Sequence, residues 1–295
     1  MLSQQVLATL SAALFGAALT LLAGYGLAQR WRSLRPRARV LFGGAFAVFE
    51  IVFWLALYGY FIVPNGLAVR EISIESDQWR GDPLRIAVLG DVGITGPHGD
   101  ASRVEDAVAR IDAAHPDLVV LLGNYVAGLP AARRSDRDRE QIARGFTAYA
   151  LLNSPMGVVA VLGDRDSDYG SDAIVRGLED AGVAVLSNRS VATTRHGENI
   201  IIAGLDPAHP DMDDALDGAP PGRIIAISHA QRGLVDWAGH TDLLLTTCAQ
   251  GPCGERDEHG DPLYATSGLG LRGFRVFNPP EIAIITLHAP EAAPH

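Results

Sequence analysis

The sequence predicts an α/β domain that follows two membrane-spanning helices. Two long apolar runs near the N-terminus predict the helices. Short apolar runs with strand character, separated by helix-like stretches, predict the domain, and several of these runs end in a cluster of polar residues. We place the division at residue 66, so that residues 1–66 form a two-helix hairpin and residues 67–295 form the domain.

Charge differs between the two parts of the chain. Residues 1–69 hold five Arg and one acidic residue, a balance of +4, whereas residues 70–295 hold nineteen Arg and thirty-three acidic residues, a balance of −14. Nucleic-acid binding needs clustered cations, so the acidic part argues against a nucleic-acid partner. The chain has no Lys, which excludes a catalytic lysine, and its two Cys are too few for a disulfide-built scaffold or a four-cysteine zinc site.

Both apolar runs are long enough to cross a lipid bilayer, which we expect to be the first partner of this chain. Residues 6–27 carry no charge, and residues 40–63 carry one, Glu50. At about 1.5 Å per residue each run spans the ~30 Å hydrocarbon core as a helix. A cleaved signal peptide is the alternative for the first run, but a signal peptide begins with positive charge and residues 1–5 have no charged side chain.

The linker between the runs, residues 28–39, predicts the orientation. It contains five Arg, and such a segment is retained on the cytoplasmic side of the membrane. Two spans return the chain to its starting side, so we expect a two-pass protein of the cell (inner) membrane with an extracytoplasmic domain. If the linker binds anionic lipid, the orientation is the same.

Two features inside the spans suggest how the helices pack. Ala12, Gly16, Thr20 and Gly24 recur every four residues, a stripe of small residues that predicts close packing against the second span or against another copy of the chain. Glu50 lies near the middle of the second span, where an ionised group is costly. We expect a neutral Glu50 bonded to the neighbouring helix, with a functional protonation role as the alternative.

After residue 67 the pattern becomes that of an α/β domain with helices covering the faces of a sheet. The strand-like runs are residues 85–89, 118–122, 158–162, 183–186, 200–203, 224–227, 243–245 and 282–287. The helix-like stretches are residues 101–114, 137–152, 172–181 and 231–237. Residues 133–140 are a charge run, which predicts a solvated loop and the start of a helix.

Five of the strand-like runs lead directly into polar residues. The side chains that follow them are Asp91, Asn124, Asp164 with Arg165 and Asp166, Ser228 with His229, and Cys248 with Gln250. In open α/β sheets the carboxyl ends of the strands line the ligand crevice, so these clusters predict one composite site. A single Gly-Asp cluster would be weak evidence, because ordinary turns contain it too.

The ordered series resembles the motifs of the calcineurin-like metallophosphoesterases, and most of all those of their membrane-associated bacterial branch. The family pattern runs Asp-x-His, Gly-Asp-x-x-Asp, Gly-Asn-His-Asp/Glu, a lone His and Gly-His-x-His, and its order and spacing match over residues 67–288. The resemblance implies a four-layer sandwich, with two β-sheets between helices. It also implies two divalent metals roughly 3.5–4 Å apart that bind phosphate oxygens and activate a bridging water.

The chain departs from that pattern at most positions. The family's metal positions are occupied here by Asp91, Asn124, Asp164, His229, Cys248 and Gln250. Gly93 and Ala127 stand where the family has a His and an Asp. Arg165 replaces the catalytic His; its guanidinium can bind a phosphate but is a poor proton donor, and Asp166 beside it is a further candidate for ligand binding or for a pair with Arg165.

These departures predict a membrane-anchored pseudo-phosphoesterase with a binding or regulatory role, whose partner is a phosphorylated ligand or a protein. We expect no cofactor, or else a divalent Zn, Mn or Fe at reduced stoichiometry. The alternative is an active, divergent phosphoesterase acting on phosphate esters or lipid-linked phosphates, with a single metal held by Asn124, Asp164, His229 and Cys248. A disulfide between Cys248 and Cys253 would remove the Cys248 thiolate as a ligand of this metal. A transporter or sensor built on Glu50 is a weaker hypothesis, since two spans offer little room for a pathway.

Overall fold

A computed structural model of the chain describes residues 4–31, 33–96, 98–128, 130–235, 237–248, 251–269 and 278–290. The chain separates into two compact units, with the division after Gly66. The first unit is helical, and the second contains all the strands found in the described residues.

The first unit consists of helices α1, Gln4–Trp31, and α2, Pro36–Leu57. Proline at the start of α2 suits the first helical turn, where its missing N–H has no helical partner. A π-helical turn, Tyr58–Ile62, and a 3₁₀ turn, Val63–Asn65, extend α2. By length and composition, Ser11–Trp31 and Pro36–Asn65 are long and apolar enough to cross a membrane.

The stripe of small residues on α1 faces α2. A Cβ atom added to Gly16 would lie 2.7 Å from a ring carbon of Phe53, and one added to Gly24 would lie 3.7 Å from a ring carbon of Phe46. Of the two partners that the sequence left open for this stripe, the structure places the second helix against it.

Glu50 differs from the expectation in its hydrogen-bond partner. Its Oε2 atom accepts from the Trp54 indole at 3.0 Å, one turn further along the same helix rather than on the neighbouring helix. Its Oε1 atom has no hydrogen-bond partner among the described residues.

The second unit is built on two six-stranded sheets. In the first sheet the order is β1-β12-β2-β3-β4-β5, and in the second it is β10-β11-β9-β8-β7-β6. The strands are β1 Ala68–Glu75, β2 Leu84–Leu89, β3 Leu118–Leu121, β4 Val158–Ala160, β5 Ala184–Val185, β6 Arg189–Arg195, β7 Glu198–Gly204, β8 Arg223–Ile227, β9 Leu243–Thr247, β10 Gly254–Glu258, β11 Asp261–Thr266 and β12 Glu281–His288. The helices are α3 Ala101–Ala113, α4 Asp136–Tyr149, α5 Asp166–Tyr169, α6 Ser171–Asp180, α7 Met212–Leu216 and α8 Arg232–Val235, with a 3₁₀ turn at Ala131–Arg133.

Three apolar cores join four layers. Alternate side chains of a strand point to opposite faces of its sheet, so Ile86 and Val88 of β2 pack between the two sheets while Ala87 and Leu89 pack on the outer face. Helices α3, α4 and α6 cover that outer face, and α7 and α8 cover the outer face of the second sheet. The predicted α/β sandwich, with two sheets flanked by helices, is therefore confirmed.

Strand direction brings the predicted polar clusters to one edge of each sheet. In the first sheet β2, β3, β4 and β5 run parallel, and in the second sheet β7, β8 and β9 run parallel. The carboxyl ends of β2, β3 and β4 therefore share an edge, and so do those of β8 and β9. Strands β6 and β10 join antiparallel at the two borders of the second sheet.

We expect Gly16→Leu to separate the α1–α2 pair, because the larger side chain would overlap Phe53. Overpacking of this kind typically costs about 1–3 kcal/mol. The measurement is the rate of disulfide trapping in a chain that carries Gly24→Cys and Phe46→Cys. Gly26→Leu is the matched control, since a Cβ at Gly26 meets nothing within 4 Å. Equal trapping rates in the two variants would contradict the packing described here.

Candidate functional site

The loops after β2 and β3 are bonded to each other through their backbones. The Asp91 N–H donates to the Gly123 carbonyl at 3.1 Å, and the Gly93 N–H donates to the Asn124 carbonyl at 2.8 Å. Asp91 and Asn124 both have positive φ, of 47° and 56°, a conformation that Asp and Asn tolerate better than most residues. These bonds hold the side chains of Asp91 and Asn124 next to each other.

Glycine is required where the ends of β3 and β4 meet. A Cβ atom at Gly123 would lie 2.3 Å from the backbone nitrogen of Gly163, and one at Gly163 would lie 2.3 Å from the Oδ1 atom of Asn124. Both distances are far below van der Waals contact, so only glycine permits this close approach.

The Asp166 carboxylate fixes the loops after β3 and β4. Its Oδ2 atom accepts from the backbone N–H groups of Gly163 at 2.7 Å and Asn124 at 2.9 Å, and its Oδ1 atom accepts from that of Tyr125 at 2.8 Å. Burial raises the pKa of Asp166 to about 6, against the opposing effect of the three N–H donors. The structure thus assigns this carboxylate to the main chain, whereas the sequence suggested a ligand contact or a pair with Arg165.

The side-chain amide of Asn124 is the centre of the site. Its Nδ2 atom lies 3.0 Å from Asp91 Oδ1, 3.0 Å from Asp164 Oδ1 and 2.9 Å from His229 Nε2. Its Oδ1 atom accepts from the backbone N–H of Arg165 at 3.0 Å. The structure therefore brings together four of the predicted site residues, Asp91, Asn124, Asp164 and His229, around one nitrogen atom.

His229 enters this centre from the second sheet, directly beyond β8. Its Nδ1 atom lies 2.7 Å from the Leu122 carbonyl, which can only accept, so Nδ1 carries a hydrogen. Its Nε2 atom lies 3.2 Å from Asp164 Oδ1. The contact with Leu122 joins the second sheet to the first at the point where β3 ends.

His229 and Asp164 form an ion pair. Burial by itself would lower the pKa of His229, but the hydrogen bond to Asp164 and the charge of Asp91 outweigh it, and the pKa is raised above 6.5. The hydrogen bond from His229 in turn lowers the pKa of Asp164 below its usual range. With His229 protonated, its Nε2–H donates to Asp164, and the two amide hydrogens of Asn124 remain for the two carboxylates.

The other predicted residues contribute little to this centre. The side chains of Gly93 and Ala127 have no atom that could bind a metal. Cys248 forms a disulfide with Cys253, so its sulfur is not a thiolate that could bind one. Gln250 lies outside the described residues. The Arg165 side chain is exposed and makes no hydrogen bond or salt bridge to any residue that the structure describes.

The donor set does not fit a two-metal centre. Over the described part of the chain, no group of three or more His, Cys, Asp or Glu side chains is arranged to hold a metal ion. At the point where Asp91, Asp164 and His229 converge lies an amide nitrogen whose two hydrogens point at the two carboxylates. An N–H₂ group donates hydrogen bonds and does not ligate a cation.

Sequence reasoning missed Arg134. It lies in the charge run that predicts a solvated loop, but its side chain is buried. It donates to Thr95 Oγ1 and to the Ala127 carbonyl, and its guanidinium lies 5.4 Å from the centre of the Tyr169 ring. Arg134 thereby ties together the segments after β2 and β3 and helix α5. No local signal in the sequence distinguishes it from its exposed neighbour Arg133.

A scan against models of known protein families finds no match, and a search of curated proteins finds no significant similarity. Among solved structures, the NAD nucleotidase NadN of Haemophilus influenzae aligns with a TM-score of 0.44 and 18% identity, over 64% of this chain and 46% of the nucleotidase. The protein TT1561 of Thermus thermophilus aligns with a TM-score of 0.42 and 14% identity, over 64% of this chain and 91% of TT1561. An archaeal phosphodiesterase aligns with a TM-score of 0.36 and 12% identity, over 63% of this chain and 84% of that protein. The aligned part of the present chain thus spans less than half the length of the nucleotidase.

We expect Asp166→Asn to destabilise the second unit by about 1–3 kcal/mol, because one amide hydrogen would face a backbone N–H that now has an acceptor. Chemical denaturation measures the free energy of unfolding. Asp168→Asn is the control, since Asp168 lies on the same helix with an exposed side chain. A loss no larger than that of the control would contradict the role given to Asp166.

The ion pair of His229 predicts a pH dependence of stability. A raised pKa in the folded state means that this contribution is complete below pH 6.5, the ordinary pKa, and is lost as the pH rises through the folded value. The melting temperatures of the natural chain and His229→Gln should therefore converge as the pH rises from about 5.5 to about 9. The control is His240→Gln, because the His240 side chain is exposed. Its difference in melting temperature from the natural chain should stay constant over this pH range. A gap that widens with pH would contradict this assignment.

Proposed function

We propose that this chain is a membrane-anchored protein of metallophosphoesterase type whose centre does not hydrolyse phosphate esters, and that it acts by binding a ligand or partner. The order of the motifs along the chain and the two-sheet sandwich support the metallophosphoesterase assignment. The observation that carries the loss of hydrolysis is the Asn124 amide nitrogen, within 3.0 Å of Asp91, Asp164 and His229.

Charge explains why this centre is unsuited to hydrolysis. A pair of divalent cations must be neutralised by carboxylates and bound by imidazoles, and a neutral amide at the shared position supplies no negative charge. The polar groups of the centre already satisfy one another: Asp164 pairs with His229, and the amide bonds both carboxylates. Arg165 cannot act as the acid for a leaving group, because a guanidinium keeps its proton.

The exposed groups at the rim favour binding. The Arg165 guanidinium is exposed beside the centre, and its planar fork matches the oxygens of a phosphate or carboxylate. The backbone of Arg165 is held by Asn124, so its side chain starts from a fixed position. We take Arg165 as the anion contact for a phosphorylated ligand or for an acidic group of a protein partner.

The proposed anchor is the α1–α2 hairpin. The Arg-rich linker between the helices favours a cytoplasmic connection and an extracytoplasmic domain at the inner membrane. The Cys248–Cys253 disulfide supports this location, because disulfides persist in oxidising compartments and are rare in the cytosol.

The proposal is tested with the full chain in detergent. After supply of Mn²⁺, Zn²⁺ and Fe²⁺ in turn, we expect elemental analysis to find fewer than two metals per chain. We also expect no hydrolysis of a nitrophenyl phosphodiester or phosphomonoester above background. Asp91→Ala and His229→Ala serve as the reference for background, since each removes a group that an active centre would need.

Metal-dependent turnover in the natural chain that disappears in both variants would overturn the proposal in favour of a divergent phosphoesterase. Two bound metals per chain would overturn it as well. Equal, background-level rates in all three proteins support it.

A further inference from the structure

We infer that the Asn124 carboxamide takes the place of a cation in this centre: its N–H₂ group is a built-in donor that bonds Asp91 and Asp164, and together with the protonated His229 on Asp164 it holds the centre together without metal. The inference rests on the proposed function, because both describe a centre that lacks a metal pair. It goes further because it assigns the loss of metal binding to one side chain. It also predicts that one substitution at this position restores metal binding.

Convergence of acceptors is the first argument. Two carboxylate oxygens and an imidazole nitrogen meet at 2.9–3.0 Å around Asn124 Nδ2. Carboxylates and imidazole together are a donor set that divalent first-row metals accept. Here the two amide hydrogens face the two carboxylates, and the protonated His229 supplies further positive charge to Asp164.

Burial makes this donor necessary. Asp91, Asn124 and His229 are each at most 2% exposed, whereas the Asp164 side chain is 49% exposed. A buried carboxylate such as Asp91 that lacks a donor loses its hydration and gains nothing in return. The amide satisfies Asp91 and Asp164 without an additional charge and bonds the ends of β2, β3 and β4 together, and His229 at the end of β8 joins them through Asp164.

The orientation of the amide is fixed. Asn124 Oδ1 accepts from the Arg165 N–H, and a flipped amide would place its N–H₂ against that donor and its oxygen against two carboxylates. The Asn124 backbone is bonded on both sides, to Asp166 through its N–H and to Gly93 through its carbonyl. The side chain therefore presents its nitrogen to the centre and cannot exchange it for the oxygen.

An aspartate at this position would reverse the electrostatics. Asp has the same shape as Asn and tolerates the same positive φ. It would keep the bond from the Arg165 N–H but would direct a second oxygen at Asp91 and Asp164. Three carboxylates would then meet with only the His229 imidazolium to offset their charge, an arrangement that a bound divalent cation would stabilise.

The test compares the natural chain with Asn124→Asp as full-length protein in detergent, each with EDTA, with Mn²⁺ and with Zn²⁺. The readouts are melting temperature and bound metal, and neither depends on activity. For Asn124→Asp we expect a melting temperature roughly 5–10 °C below that of the natural chain in EDTA, because two hydrogen bonds are lost and a charge is added. We expect metal to raise it by roughly 5–10 °C, the shift for binding at about one hundred times Kd.

Asn188→Asp is the matched control. Asn188 also has positive φ, 47°, and its Oδ1 atom also accepts backbone N–H groups, but it lies outside the centre. This variant adds the same charge, and we expect its melting temperature to be the same with metal and with EDTA. The natural chain should likewise melt at the same temperature with metal and with EDTA.

If Asn124→Asp does not fold, the same measurements on Asn124→Ala test the inference. This variant removes the amide donor from both carboxylates, and we expect a lower melting temperature that Zn²⁺ partly restores. Absence of any metal response in the variants that fold would overturn the inference while leaving the proposed function intact. A melting temperature of the natural chain that rises with metal would overturn it too. Metal-dependent turnover by the natural chain would instead refute the proposed function.

Discussion

The structure depends on two adjoining sets of hydrogen bonds at the ends of the parallel strands. Asp166 accepts three backbone N–H groups from the loops after β3 and β4, and the Asn124 amide donates to carboxylates in the loops after β2 and β4, with His229 from the end of β8 bonded to one of them. Asp166, Asn124 and Asp91 are buried, so the bonds among their groups are shielded from water, whereas Asp164 lies at the exposed side of the second set. Because the loops belong to both sheets, this one junction sets the spacing of the sandwich at the edge where the candidate site lies.

The sequence predicted eight of the strands of the second unit, among them most of its buried central strands. Central strands such as Leu118–Leu121 are buried on both faces and read as continuous apolar runs. The strands β1, β6, β10 and β11 were missed. Strand β6, Arg189–Arg195, has no fully buried residue, and β10, Gly254–Glu258, is mostly charged. Each of these two lies at the border of a sheet and gains its strand conformation from its neighbour rather than from its own composition.

The candidate site was predictable in its membership and not in its chemistry. Strand order places Asp91, Asn124 and Asp164 at neighbouring strand ends of the first sheet, and His229 reaches them from the second sheet. That the Asn124 nitrogen, and not its oxygen, faces the acceptors depends on the Arg165 N–H across the junction, which no spacing in the sequence reveals. The burial of Arg134 and the use of Asp166 by the main chain depend in the same way on the fold.

The position of β12 constrains how this protein is made. This strand lies between β1 and β2, the first two strands of the domain, and pairs with β1 along eight residues. On a translating ribosome, the first sheet therefore stays open until residues 281–288 have emerged, long after the helical hairpin has been synthesised. Until then the backbone edges of β1 and β2 lack the strand that pairs with both of them. Synthesis thus delivers a chain whose first sheet is incomplete, and β12 is the strand that completes this sheet.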